Sequence, residues 1–398
     1  VTETRFDPRI EGLVASLPDD PDPQLVYRQK AGDVRFERMA GAVHLYRMRD
    51  ILAVNRDPTV LGTGGRGGAF ATDMPLIPLE VDGPEHATWR RLLDPMFSPK
   101  RTRALERSVR DRAAGLIDGC LAELADGGRV EFYSRFCMPL PCLTFLRLVG
   151  APEADLGFFL EFKEGVVHPA GDTVEEMNAN MAAAGMKLYQ YFTEFIAERR
   201  TAPPTDDVLG ELLTAQVAGR PVTDLELLNI MFLLMFAGLD TVSASLSCLV
   251  GWFARHPAER DRVVADEGLL PGAIEELMRY ESPVPSGTRY ATVELDLGDG
   301  LVIAPGEAIH TLWAAANVDP TAFDDPLRPA LDRPRHTHIA FASGTHRCLG
   351  SHLARMELRV ALEELHRRIP RYRIAPGEEL RFSNISVRSA QYLPIALD

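Results

Sequence analysis

The residues best suited to chemistry gather around position 348. Cys348 follows His346 and Arg347 and lies between Gly344 and Gly350, in the stretch FASGTHRCLGSHLARMEL from Phe341 to Leu358. Gly344 lets the chain turn tightly, and Gly350 lets something large approach the main chain. The pattern that follows is helical and is expected to start at about Leu349. A cysteine just ahead of a helix meets the positive end of the dipole and its unpaired N–H groups. Those surroundings favour thiolate over thiol.

A thiolate on a rigid, hydrogen-bonding loop is what an axial sulfur ligand to haem iron requires. A lone cysteine in a turn would more simply be a small buried hydrophobe. Here, however, Phe341, Gly344, His346, Cys348 and Gly350 spell F-x-x-G-x-H-x-C-x-G. Three further constellations stand upstream. Asp240 and Thr241 follow Ala237-Gly238 inside a strongly apolar helical run, where an acid and an alcohol must satisfy their own polar groups. Glu276 and Arg279 share one helix face at i and i+3. His86 and Arg90 lie at i and i+4, so one face presents both to an anion.

The cysteine pattern resembles the haem-binding signature of the cytochrome P450 family at every defining position, and the other constellations fall in that family's order. The resemblance runs from about residue 82 to 393 and looks like the bacterial members. The C-terminal half, in RRIPRYRIAPGEEL and QYLP, is similar to the camphor-hydroxylase branch. It implies a mostly α fold with small β-sheets, haem b, and Cys348 as the thiolate ligand. It places Ala237 and Gly238 where room is left for O₂, Thr241 as the hydrogen-bond partner of the activated oxygen, and Asp240 as a proton relay. His86, Arg90, Arg289 and His346 would take the haem propionates, arginine suiting a carboxylate by its forked geometry. Glu276, Arg279 and Arg333 would form a buried structural triad.

The same resemblance outlines a substrate pocket from Met74, Leu76, Leu233, Phe236, Ala237, Val284, Pro285, Thr288, Ser386 and Val387. That set is mostly apolar and suits a terpenoid, steroid, fatty or aromatic compound. The camphor branch carries a hydrogen-bonding tyrosine near position 74. Here that place holds Met74, a departure from the branch, so the resemblance does not extend to camphor itself.

The elements around these residues read as follows. Val34 to Leu45 suggests a hairpin around Gly41, and residues 290–311 a hairpin turning at Gly298–Gly300. Residues 100–125, 173–200, 223–254 and 257–281 carry apolar positions at helical spacing. The glycine-rich stretch 62–68 lacks the strand, helix and Lys-Ser/Thr ending of a phosphate loop and reads as an access loop. No linker or repeat divides the chain, so residues 1–398 read as one domain.

Hydrophobic residues make up 46% and charged residues 25%, ordinary for a globular core. The net charge of −14 argues against general nucleic-acid binding. Five cysteines without zinc spacing, and a charged N-terminal segment resembling neither signal peptide nor anchor, point to a reducing, cytoplasmic setting. The run Leu227 to Leu239 is too short and interrupted to span a bilayer and reads as a buried helix.

The resemblance implies a monooxygenase using O₂ and NAD(P)H-derived electrons from a ferredoxin and its reductase. Residues 90–112 hold eight Arg/Lys (90, 91, 100, 101, 103, 107, 110, 112) against three acids (94, 106, 111). With Arg347, Arg355 and Arg359 they are expected to form a basic docking face for an acidic donor. A peroxide-using or substrate-rearranging haem-thiolate enzyme and a haem sensor are the alternatives. The Asp240–Thr241 pair favours the first reading, because a proton relay serves O₂ reduction.

Overall fold

The computed structural model describes residues 23–62, 75–167, 169–334, 337–383 and 387–398. Met74, Ser386 and most of the glycine-rich stretch lie outside them.

The apolar run forms the middle of one helix, Asp224–Arg255. It begins where Thr223 and Glu226 cap each other: the Glu226 N–H donates to Thr223 Oγ1, and the Thr223 N–H donates to the Glu226 carboxylate. Apolar residues surround it on nearly every side, so it has to be covered all round. The helices Pro139–Val149, Val174–Thr201, Leu270–Glu281 and Ser351–Arg368 and the strand Ser389–Tyr392 do the covering. Among the described residues this is the one helix long and apolar enough to cross a membrane, and 72% of its most apolar window is buried within the protein. The helix belongs to two cores. Leu227 to Leu239 pack into a cluster with Leu76, Trp89, Phe145 and Phe192. Val242 to Ala254 pack into another with Ile117, Phe136, Leu277 and Leu358. Asp240 and Thr241 stand at the seam between them.

The expected hairpins form and join one five-stranded sheet, in the order Phe36–Met39, Ala42–Leu45, Ala308–Thr311, Gly287–Ala291, Val60–Leu61. The turn at Gly298–Gly300 closes a small inner pair, Leu295–Asp296 with Val302–Ile303, and Gly287–Ala291 pairs with Ala308–Thr311 outside it. The 99–127, 174–201 and 224–255 regions are helical as read. The 257–281 region is not one helix. Pro257–Ala265 ends at Asp266, which is extended and accepts a bond from the Gly268 N–H, and Leu270–Glu281 restarts with Pro271 in its first turn.

Candidate haem-thiolate site

The helix after the cysteine starts at Ser351, two residues later than expected, with Gly350 as its cap. The Cys348 N–H donates to Phe341 O (2.9 Å) and the Arg347 N–H to Gly344 O (3.2 Å), closing the loop on itself. Gly344 has φ +74°, and a Cβ there would sit 1.8 Å from Asn55 O, so no other residue fits. Asn55 Nδ2 also donates to Ser343 Oγ (2.9 Å), tying the loop to the helix Met48–Arg56. A Cβ on Gly350 would meet no protein atom within 4 Å. The space expected beside it is therefore present.

Cys348 is accessible, whereas Cys120, Cys137, Cys142 and Cys248 are buried. Yet Cys348 feels strong desolvation, which pushes its thiol up. The Gly350 N–H and the charges of Arg90, Arg355 and Arg347 work the other way. An atom both accessible and desolvated lines a cleft inside the molecule. The groups expected to favour the thiolate are in place, but in the protein alone burial outweighs them.

The anion-binding residues show the same incompleteness. Arg289 is buried, donates to Thr288 O (2.7 Å), and has no carboxylate within salt-bridge reach among the described residues. Burial pushes its guanidinium down to about 10. His86 is buried with Nε2 unbonded, and burial, then His346 and Arg90, push it down to about 4. Its ring lies 4.2 Å from that of His346, which shares a bond with Asp82 (2.8 Å). Arg90 donates to Asp94 (2.7 Å) and to Arg347 O (2.7 Å), reaching the cysteine loop directly. A buried arginine without a carboxylate and a buried imidazole without a partner are what two propionates would complete. Together with the open space at Gly350, these residues fit haem.

In the middle of the long helix Ala237 is exposed, and Phe236, Gly238 and Thr241 are half-buried, although nearly everything around them is buried. This stretch of the helix is thus left uncovered by the elements packed around it. The Thr241 hydroxyl donates to Ala237 O (2.8 Å), the back-bond a mid-helix threonine makes. Asp240 is buried. Sequence reasoning missed its neighbour Lys163, whose ammonium lies 3.3 Å from Asp240 Oδ1 and donates to Tyr133 Oη (2.7 Å). Burial alone would lower Lys163, but Asp240 and Tyr133 more than reverse this and raise it. The one available signal was a lysine inside the apolar run GFFLEFKEGVV.

Glu276 and Arg279 form a completely buried two-pronged pair (2.8 and 2.9 Å). Arg333 Nε reaches Glu276 (3.0 Å), and Arg279 donates to Asn317 O and Pro326 O. Glu275, also missed, turns the other way. It takes two bonds from Arg355 (2.6 and 2.8 Å) and faces His338 at 3.1 Å, while the Arg355 guanidinium stacks 4.3 Å over Phe341 of the cysteine loop.

Several expectations need correction. Leu76 and Leu233 are packed in the core and offer little surface to a ligand. Thr288 bonds His310 (3.1 Å), and strand alternation sends it to the face opposite Arg289. Val284, Pro285 and Val387 are half-buried. The basic face also shrinks. Arg101 pairs with Asp206 and Glu211, Arg110 with Glu106, Glu363 and Glu364, Arg112 with Glu153, Arg355 with Glu275, and Arg359 with Glu106 and Glu363. Among the described residues, Arg91, Lys100, Arg103, Arg107 and Arg347 are exposed without ion pairs.

The family described as Cytochrome P450 matches residues 172–379. A putative cytochrome P450 of Mycobacterium tuberculosis is 33% identical over 320 residues, covering 80% of this chain and 78% of that protein. A steroid C26-monooxygenase of Mycolicibacterium smegmatis is 30% identical over 348 residues, covering 87% and 85%. A Bacillus megaterium protein solved in complex with testosterone superposes with a TM-score of 0.84 at 27% identity, over 95% of this chain and 98% of the other.

Proposed function

This chain belongs to the cytochrome P450 family and is a haem monooxygenase of that type; from that premise we propose that it hydroxylates an apolar small molecule with electrons from a separate donor protein. The observation that carries the reading is the pair of accessible surfaces inside the fold, Cys348 on one element and Ala237 on another. Haem, when bound, supplies the oxygen-activating iron. Cys348 would ligate it, and His86, Arg90, Arg289 and His346 would hold its carboxylates. Thr241 would present a hydroxyl to the oxygen, and Asp240 would pass protons to it. Phe236, Ala237, Val284 and Val387 support an apolar pocket. The activity named for the Mycolicibacterium relative and the testosterone bound by the Bacillus protein place a steroid among the terpenoid, steroid, fatty and aromatic candidates. Residues 1–398 would work as one domain.

The electron donor is proposed to be an acidic ferredoxin, supplied by its reductase and docking at Arg91, Lys100, Arg103, Arg107 and Arg347. Those five exposed cations can steer an anionic partner although the whole chain is acidic. The test has two parts. Compounds are screened for a shift of the Soret band, and each binder is then turned over with NADH plus ferredoxin and reductase, or with peroxide alone. Product from the first route supports the monooxygenase reading. Product from peroxide only would put the peroxide-using alternative in its place.

A further inference from the structure

Asp240 is buried, and neither of its carboxylate oxygens accepts a hydrogen bond. Buried carboxylates ordinarily collect several. The group that should supply one is Lys163, 3.3 Å away and equally buried. Lys163 makes its short hydrogen bond instead to Tyr133 Oη, at 2.7 Å. Glu164 takes a longer one, at 3.3 Å. Tyr133 is buried in turn, and its hydroxyl lies beside Ser389 on the strand Ser389–Tyr392. The ammonium is therefore close enough to Asp240 to balance charge, yet aimed away from it.

An ammonium carries three donors on a rotatable stem and turns to the best acceptor within reach. The ring of Tyr133 belongs to the core cluster that holds Phe136 and Phe132, whereas its hydroxyl meets Lys163 and lies beside Ser389. Removing that hydroxyl leaves two carboxylates at 3.3 Å, and of these Asp240 is the buried one, where a charged hydrogen bond is stronger than at the half-exposed Glu164. A buried pair that is both charged and hydrogen-bonded is short and strong, and it occupies the lone pairs that proton exchange needs.

We propose that the Tyr133 hydroxyl is a positioning group that restrains Lys163 from closing a hydrogen-bonded pair with Asp240, so that the carboxylate stays free to pass protons toward Thr241. This rests on the reading of Asp240 as a relay. The hydroxyl contributes by holding Lys163 in place, without touching substrate or oxygen.

The experiment compares holoenzymes carrying Tyr133→Phe, Lys163→Met, both changes, or Asp240→Asn. Tyr133→Phe should keep wild-type substrate affinity and first-electron transfer. Its oxygen uptake should slow about tenfold, roughly the effect of one charged hydrogen bond. In the Lys163→Met background the same change should have no further effect, because there is nothing left to restrain. Independently of turnover, the infrared carboxylate band that disappears in Asp240→Asn should shift in Tyr133→Phe and not in the double variant. Should Tyr133→Phe fail to take up haem, Ser389→Ala loosens the tyrosine and is read the same way. Equal slowing with and without Lys163, or an unmoved band, would overturn the proposal. Wild-type oxygen uptake in Asp240→Asn would instead remove the relay reading, and the band would still decide whether Tyr133 restrains Lys163.

Discussion

Arg355 grips both oxygens of Glu275, and this one pair ties the helix that follows Cys348 to the helix that carries Glu276. Because Arg355 also stacks on Phe341, the cysteine loop is held at its first residue as well as its last.

The pair makes a pH prediction. Burial pushes the Glu275 carboxyl up, but His338 and Arg355 more than reverse this and hold it at about 2. A value depressed in the folded state gives stability that is fully present above the ordinary carboxylate range and is lost as pH falls through the folded value. Glu275→Gln should therefore cost on the order of 2 kcal/mol at neutral pH and flatten the acid limb between about pH 5 and 2. Urea melts at a series of pH values measure this; superimposable acid limbs would show the pair to be neutral.

Glu276 has the larger structural role, because its loss leaves a completely buried Arg279 without its counter-charge. Glu276→Ala should cost about 3–5 kcal/mol and give little folded holoprotein. Normal yield and full haem content in that variant would contradict the buried-triad account.

Cys348→Ser should lose the reduced carbon-monoxide absorbance of a thiolate haem while the apoprotein fold is kept, since Cys348 is exposed and belongs to none of the core clusters among the described residues. Circular dichroism and the carbon-monoxide difference spectrum test the two halves separately. A retained thiolate spectrum would transfer the ligand role elsewhere.

The relay residues should fail in different ways. Thr241→Ala should bind substrate and take electrons, then leak them as hydrogen peroxide. Asp240→Asn should slow oxygen consumption, and peroxide-driven turnover should suffer less, because that route brings its own protons. Product formed per NADH consumed, with peroxide assayed in parallel, is the measurement. Wild-type coupling in the first variant and a wild-type rate in the second would end the relay reading.

For the docking face, Arg103→Glu and Arg107→Glu should slow ferredoxin-driven reduction and weaken its dependence on salt, leaving substrate affinity unchanged. Arg359→Glu should act mainly on stability, since Arg359 already bridges Glu106 and Glu363. Stopped-flow reduction at two ionic strengths separates them. Equal slowing in all three would mean that paired arginines also steer the donor.

What the chain declared by itself was whatever lies within a few consecutive residues. The cysteine loop was legible because Gly344, His346, Cys348 and Gly350 sit on one short segment, where spacing alone sets geometry. The Glu276–Arg279 pair was legible for the same reason, one helical turn bringing the two together. The long helix and the hairpins followed from periodicity. Tertiary structure decided the contacts between segments far apart in sequence. Lys163, Tyr133 and Asp240 come from three separate elements, and nothing in their local patterns says that they meet. Acids that neutralise Arg101, Arg110 and Arg112 likewise come from distant segments, so counting charges along residues 90–112 overstated the basic face. Leu233 and Ala237 lie one turn apart on the same face, so which of them is left open depends on how far along the helix its neighbours reach. A helix apolar all round carries no mark of where it is left open, and only the packing of the other helices against it settles that.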